Sequence, residues 1–375
     1  MKRAIVAVTN DLTTDQRVDR TCKTLLQSGY DTLLIGRQCK ESKTLSPRSY
    51  LTHRMRLLFE KGPWFYAEYN IHLFFFLLFH PFDLLVSNDL DTLPASYLAK
   101  TIKIPFSRRR TSVHIHDCHE YFRGVPELSG RKSVTSVWKW IEDRIFPKLK
   151  KVLAVNQSVA DLYSKEYGNH ITVIRNVPFR KLLLQARDKS ALNIKAGQKI
   201  ILYQGAINID RGLEEAILAM HHLKTDAILV VAGIGDLYKS LIDFTIRQGL
   251  SEKVRFLGQI PFEELHSVTL MADLGLSIEK DVSINYHYCL PNKFLDYIQA
   301  NVPVLVSPFP EMKNIVDEYL IGEYIGSHDP VSLATIIDDM LNDQHKLALY
   351  KQNLLKAAED LCWENEEKKL LNLLT

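Results

Sequence analysis

Short apolar runs alternate with longer amphipathic stretches through the first part of this chain. Residues 4–8 are continuously apolar and read as a buried strand; residues 15–28 then carry Val18, Cys22, Leu25 and Leu26 at helical spacing. Gly29 stands where a helix C-cap belongs, and residues 31–35 read as the next strand. Runs at 84–87, 113–116 and 151–155 repeat the strand theme, with helix-like segments between them. This rhythm predicts a parallel sheet covered on both faces. Around residues 185–198 the sequence turns polar and loses its periodicity, which places a linker there. A second series follows: strand 199–203, helix 213–222, strand 227–232, helix 237–248 and strand 254–257, with further strands at 274–278 and 303–306. A long helix is predicted from about residue 344 to 375.

The expected fold class is therefore α/β, with two doubly wound Rossmann-like domains facing across a cleft at the carboxyl ends of their strands, where such sheets bind ligands. Residues 1–190 are read as the first domain, 191–355 as the second, and 356–375 as a helix packing back toward the first.

Composition narrows the function. A length of 375 residues suits two separate cores, and 46% hydrophobic with 24% charged residues is a globular balance. A net charge of +3 is too close to neutral for the electrostatic footprint of a nucleic-acid binder. The five cysteines are odd in number and never spaced as CxxC, which argues against a disulfide framework or structural zinc and for a reducing compartment. The N-terminus has the charges of a signal peptide but too short an apolar run, and the most apolar stretch, 73–79, is far below the roughly 20 residues of a membrane span. A cytoplasmic protein is expected. Trp64, Phe65, Tyr66 and Tyr69 precede that apolar stretch and read either as a core helix or as an aromatic face at the inner membrane surface. Arg108, Arg109 and Arg110 read likewise as a solvated loop or a contact with anionic lipid.

Three segments of the second half suit phosphate. Gly205 lets the backbone turn at the end of strand 199–203, Gly212 lets it approach closely at the next helix start, and Arg211 between them offers a fork for a diphosphate; the plainer reading is an ordinary capped loop. Gly233 and Gly235 form a strand-end Gly-x-Gly against which a base or ribose could lie. Pro291-Asn292-Lys293 reads as a helix start with Pro291 in the first turn, a cation beside free amides, and Asp296 on the same face for ribose hydroxyls. The alternative there is a surface Lys293–Asp296 pair.

Taken together, Tyr203-Gln204-Gly205 with Arg211-Gly212-Leu213, Ala232-Gly233-Ile234-Gly235-Asp236, Val254-Arg255-Phe256-Leu257-Gly258, Met271-Ala272-Asp273, Leu290-Pro291-Asn292-Lys293-Phe294, His328-Asp329-Pro330 and Cys362-Trp363-Glu364 resemble, in order, the retaining family four of the GT-B glycosyltransferases. The resemblance implies a nucleotide-sugar donor, UDP- or GDP-linked, held by the second domain. It further implies a glycan or lipid-linked acceptor on the first, as in cell-surface polysaccharide synthesis, and transfer with retention without a metal or other cofactor. Arg211, Lys293, Asn292 and Gly205 would meet the diphosphate; Gly233, Gly235, Gly258 and Asp296 would meet the nucleoside. The sequence departs from the family at Ala206, where an arginine is usual, and at Arg211, where a lysine is. The family's paired glutamates would fall on Tyr288 and Asp296.

In the first half, His114-Ile115-His116-Asp117-Cys118-His119-Glu120 runs out of a predicted strand. By resemblance His119 lies near the reacting end of the donor sugar, and Glu120 orients it or meets the acceptor. Asp89-Leu90-Asp91 has the spacing of a metal-binding acid pair but opens a helix, so it reads as a cap with Asp89 near the acceptor. Arg17, in the first helix turn, either faces the diphosphate in place of the missing cation or pairs with Asp15. Two rival enzymes remain open: a nucleotide-sugar epimerase on the same fold, and a metal-dependent hydrolase using His114, His116 and His119.

Overall fold

A computed structural model describes residues 2–374 except 103–111, 126, 127, 129, 182–188, 193 and 196, with residues 190 and 191 described by backbone alone. These residues gather into two compact units, Met1–Asn176 with Glu366–Thr375, and Val177–Asn365.

The first unit is built on seven parallel strands, β1 (Lys2–Ala7), β2 (Tyr30–Gln38), β3 (Leu51–Arg56), β4 (Leu84–Asn88), β5 (Val113–Cys118), β6 (Val152–Ala154) and β7 (Ile171–Val173). Their order is β3-β2-β1-β4-β5-β6-β7, so the direction of winding reverses between β1 and β4. β4 is buried at every residue, which is why Leu84, Leu85 and Val86 run apolar without alternation. The helix Gln16–Gln27 starts where the Asp15 carboxylate accepts from Val18 N at 3.1 Å and stops at Ser28, followed by Gly29 at φ +84°. The helix Gly62–Phe79 buries one face and exposes the other. Phe65, Tyr69, Leu73 and Leu77 pack with Ile5, Ala7 and Leu85, while Trp64, Ile71, Phe75 and Phe79 stand exposed.

The second unit carries six parallel strands, β8 (Lys199–Gln204), β9 (Ala227–Ala232), β10 (Val254–Gly258), β11 (Leu274–Ser277), β12 (Val304–Val306) and β13 (Gly322–Tyr324), in the order β10-β9-β8-β11-β12-β13. Its reversal falls between β8 and β11. Alternate residues of β8 feed opposite cores, Ile200 and Leu202 one, Ile201 and Tyr203 the other, as a sheet covered on both faces requires.

The structure departs from the sequence reading in several places. The change of unit comes at Asn176–Val177, ahead of the polar stretch, because Val177 and Ile194 already belong to the second unit's core. The long C-terminal helix is two helices, Gln344–Asp360 and Trp363–Leu374. The break lets Trp363 bury completely and donate its N–H to Pro178 O at 2.8 Å. β3, β7 and β13 were not foreseen: β3 is polar and mostly exposed, and the other two are three residues long. Arg108–Arg110 and residues 185–188 lie outside the described residues. All five cysteines are free thiols, and among the described residues no helix is long and apolar enough to cross a membrane.

Candidate active site

In the second unit the loops leaving β8, β9 and β10 lock together through backbone that only glycine permits. Gly205 turns at φ +124°, and a Cβ on Gly233 (φ +146°) would stand 1.9 Å from Gly205 O. Gly233 N donates to Gly258 O at 2.8 Å, which joins the third loop. A Cβ on Gly235 would lie 2.5 Å from Ile207 O, and one on Gly212 would lie 2.3 Å from Ile278 O. The β8 loop is thus pressed against the end of β11, at the winding reversal.

Glu279 emerges at that point. It is wholly buried, and its Oε2 accepts from Ser277 Oγ at 3.0 Å. Its Oε1 lies 2.6 Å from Lys293 Nζ and 3.7 Å from Arg211 Nη1. The Lys293 ammonium sits 4.0 Å over the Tyr203 ring, and the Arg211 guanidinium 4.8 Å over the Tyr286 ring. Burial acts to raise the Glu279 pKa, but Lys293, and then Arg211, pull it below the usual value; burial acts to lower that of Lys293, and Glu279 carries it above. Glu279 and Lys293 are therefore both charged near neutrality. Two cations against one anion leave one net positive charge, with the Arg211 side chain 25% exposed and Lys293 nearly enclosed.

Lys293 belongs to the helix Asn292–Gln299, whose N-cap is Pro291 rather than a residue of its first turn; Asn292 is exposed beside it. Asp296 does not pair with Lys293. Its two oxygens lie 3.2 Å from Lys181 Nζ and 3.2 Å from Gln204 Nε2, so it ties the end of β8 to this helix. Tyr288 closes the short helix Ile284–His287. Of the second-unit residues expected to bind a donor, the structure thus brings Arg211, Lys293 and the four glycines to one sheet end. The acid that joins the cations is Glu279, which the spacing argument passed over for Tyr288. Its signal was a carboxylate directly after residues 274–278, a run apolar but for Ser277.

In the first unit a second cluster forms where β1, β4 and β5 end. His119 N donates to Asp89 Oδ1 at 2.9 Å, and its Nε2 lies 3.0 Å from Asn88 Oδ1. The same ring stands 3.6 Å from Asp89 Oδ2 and 3.5 Å from Asp117 Oδ2. Burial works to lower its pKa, but Asp89 and then Asp117 prevail and push it up to about 9, so the ring is an imidazolium at neutral pH. Asp89 adopts φ +55°, an uncommon backbone for a non-glycine residue. Glu120 is exposed.

Three expectations are corrected here. Arg17 neither stands open to a diphosphate nor pairs with Asp15: it is buried, donating from Nε to Asp117 Oδ2 at 3.0 Å, from Nη2 to Asp117 Oδ1 at 2.6 Å and from Nη1 to Ile174 O at 2.6 Å. Asp15 is instead occupied as the helix cap. Asp89 and Asp91 do not cap their helix with side chains; Asp89 serves His119 and Asp91 accepts from Thr9 Oγ1 at 2.5 Å. The three histidines do not converge. Ser87 Oγ bridges His114 Nε2 at 2.8 Å and His116 Nδ1 at 3.0 Å inside the sheet, while His119 turns to a different set of partners. Among the described residues no three His, Cys, Asp or Glu side chains are grouped to hold a metal.

Two doubly wound sheets with polar clusters at their winding reversals define a GT-B protein, and solved structures carry the same fold. Sucrose-phosphate synthase from Thermosynechococcus elongatus matches with a TM-score of 0.81 at 15% identity, over 100% of this chain and 98% of that one. The UDP-glucose complex of Anabaena HepE matches at 0.75 and 14%, over 100% and 99%. Residues 15–177 match the family model "Glycosyltransferase Family 4", and residues 185–358 that of "Glycosyl transferases group 1". The chain belongs to glycosyltransferase family four, a retaining family. An uncharacterised glycosyltransferase of Methanocaldococcus jannaschii is 26% identical over 190 residues, 49% of this chain; the chain thus spans about half (47%) of the length of that curated relative.

Proposed function

We propose that the protein transfers a sugar from a nucleoside-diphosphate donor to a glycan or lipid-linked acceptor with retention of configuration. The observation that carries this reading is the Arg211–Glu279–Lys293 cluster beneath the interlocked glycine loops, one net positive charge at the winding reversal of the second sheet. Arg211, Lys293 and the first amides of the helix Asn292–Gln299 are the groups for the diphosphate. They stabilise charge on the leaving group as the glycosidic C–O bond breaks, while the acceptor hydroxyl attacks from the same side. Gly233, Gly235 and Gly258 leave backbone open for the nucleoside. Asp296 acts by holding Gln204 and Lys181. In the first unit the His119 imidazolium is the hydrogen-bond donor to the donor sugar or its phosphate, aimed by Asp89 and backed by Asp117 and Arg17. Glu120, exposed on the same unit, is the acid that would meet the acceptor.

The UDP-glucose complex of HepE supports UDP as the first nucleotide to try. A lipid-linked acceptor at the inner face of a membrane accords with the exposed aromatic face of the helix Gly62–Phe79. Isothermal titration with UDP, GDP and ADP, each with and without EDTA, tests the donor site. One nucleotide should bind in the presence of EDTA, and Arg211→Ala should weaken it roughly ten- to hundredfold, the worth of a charge-assisted contact. Absence of binding by all three would remove the reading. With the UDP- or GDP-sugar alone, an epimerase would return an isomerised or eliminated sugar, whereas a transferase leaves the donor nearly intact.

A further inference from the structure

Lys293 and Arg211, the two cations available to a diphosphate, converge on a single carboxylate oxygen, that of a residue with no exposed surface. Glu279 Oε1 is 2.6 Å from one and 3.7 Å from the other. The residue is held at two further points: Ser277 Oγ donates to the carboxylate Oε2 at 3.0 Å, and Ser307 Oγ donates to the Glu279 backbone carbonyl at 2.5 Å. The loop that bears it is clamped, since Lys280 N donates to Asp210 O at 2.9 Å and Gly212 packs against Ile278. Burying a carboxylate is costly unless it is paired, so Glu279 is present for what its charge does. With the Tyr203 ring below Lys293, the ammonium has a cation–π face on one side and the carboxylate on another.

We infer that Glu279 is a positioning residue that attenuates the diphosphate site: it holds Lys293 and Arg211 in place while cancelling half of their charge, so that the nucleoside diphosphate left after transfer can depart. The inference rests on the donor-site reading above and deepens it. A charge of the same sign as the ligand, placed within contact distance of the ligand's cations, weakens ground-state binding of the diphosphate. Removing that charge while keeping the shape should therefore tighten binding, the opposite of what removing a ligand-contacting group does. A residue that only braced the loop would, on removal, weaken binding or leave it alone.

The test is the affinity for free UDP, GDP or ADP, whichever the unaltered chain binds, measured at pH 8 for four proteins: the unaltered chain, Glu279→Gln, Lys293→Met and the double variant. Glu279→Gln should bind the nucleoside diphosphate about tenfold more tightly, and product release measured by stopped flow should slow in proportion. Glu279→Gln leaves a buried ammonium unpaired and the variant can fail to fold, so the second comparison stands alone. Lys293→Met leaves Glu279 facing the diphosphate without its neutralising partner, and the double variant should recover affinity by about tenfold over Lys293→Met. If the unaltered chain binds and Arg211→Ala weakens it, but neither comparison shows tightening, the attenuating role is overturned and the donor site stands. If no nucleoside diphosphate binds the unaltered chain, both fall together.

Discussion

The guanidinium of Arg17 and the carboxylate of Asp117 meet in two parallel bonds, Nε to Oδ2 at 3.0 Å and Nη2 to Oδ1 at 2.6 Å, with both side chains almost fully enclosed. Burial acts to raise the Asp117 pKa, but Arg17, ahead of His119, holds it well below the usual carboxylate range. The remaining guanidinium nitrogen, Nη1, reaches Ile174 O, so one side chain joins the first helix, the end of β5 and the segment after β7. Arg17→Ala should lower unfolding stability by about 3–5 kcal/mol, the cost of leaving a buried charge alone. Arg17→Lys should recover only part of this, since an ammonium cannot reproduce the fork. Urea unfolding at pH 7 measures both, and a change within 1 kcal/mol for the alanine variant would contradict the pair's importance.

His119 makes stability fall on the alkaline side. Its folded pKa is raised to about 9 against an unfolded value of about 6.5. Its contribution is therefore fully present below pH about 6.5 and is lost as pH rises through about 9, because over that window the folded state binds the extra proton. A urea-midpoint profile should decline through that window in the unaltered protein and flatten in His119→Asn. A ring resonance titrating near 9 in NMR would confirm the assignment, and one titrating near 6.5 would refute it.

The pair bridged by Ser87 acts on the acid side. Burial lowers the pKa of His116 to about 4 and that of His114 well below normal. Both are neutral in the fold, whereas the unfolded chain protonates them below pH about 6.5, so stability falls as pH drops from about 6.5 toward 4. His116→Gln should shallow that acid slope; an identical slope would mean that other groups govern it.

The outer face of the helix Gly62–Phe79 makes a prediction independent of nucleotides. Trp64 is 70% and Phe79 76% exposed, with Ile71 and Phe75 between them on the same stripe. If this face meets lipid, the protein should co-sediment with vesicles of phosphatidylglycerol and phosphatidylethanolamine, and Trp64 emission should shift to the blue. Phe75→Glu with Phe79→Glu should abolish sedimentation and leave UDP binding unchanged. Failure of the unaltered protein to sediment would remove the membrane proposal and leave the donor site intact.

How much of this was legible in the chain depends on sequence distance. The strands of both sheets that are buried on two faces announced themselves as apolar runs, and the glycines of the β8 and β9 loops lay at the ends of those runs. Arg211 and Lys293 stand out in the chain because each adjoins a helix start. Edge strands such as β3 and β13 were missed because exposure or brevity removes the apolar signal. The partners were missed for a different reason. Arg17 has Asp15 as its neighbour in sequence, whereas the carboxylate it pairs with arrives on another strand 100 residues later. Glu279 was overlooked because a fixed spacing from Asp296 pointed to Tyr288, and spacing along the chain says nothing about a loop that folds back beneath its own helix.

Residues 366–374 group with the first unit although the whole of the second precedes them in the chain. Thr24 Oγ1 donates to Glu367 Oε1 at 2.7 Å, Arg175 N to Glu366 Oε2 at 3.1 Å, and Leu370 is buried. On the ribosome, then, the half that is synthesised first is finished last. Its seven strands can pair while the second half is still being translated, but the seat for Leu370 stays empty and the backbone amide of Arg175 unsatisfied until the final helix emerges. A nascent chain halted at residue 365 would carry a completed second unit beside a first one still open to chaperones and proteases.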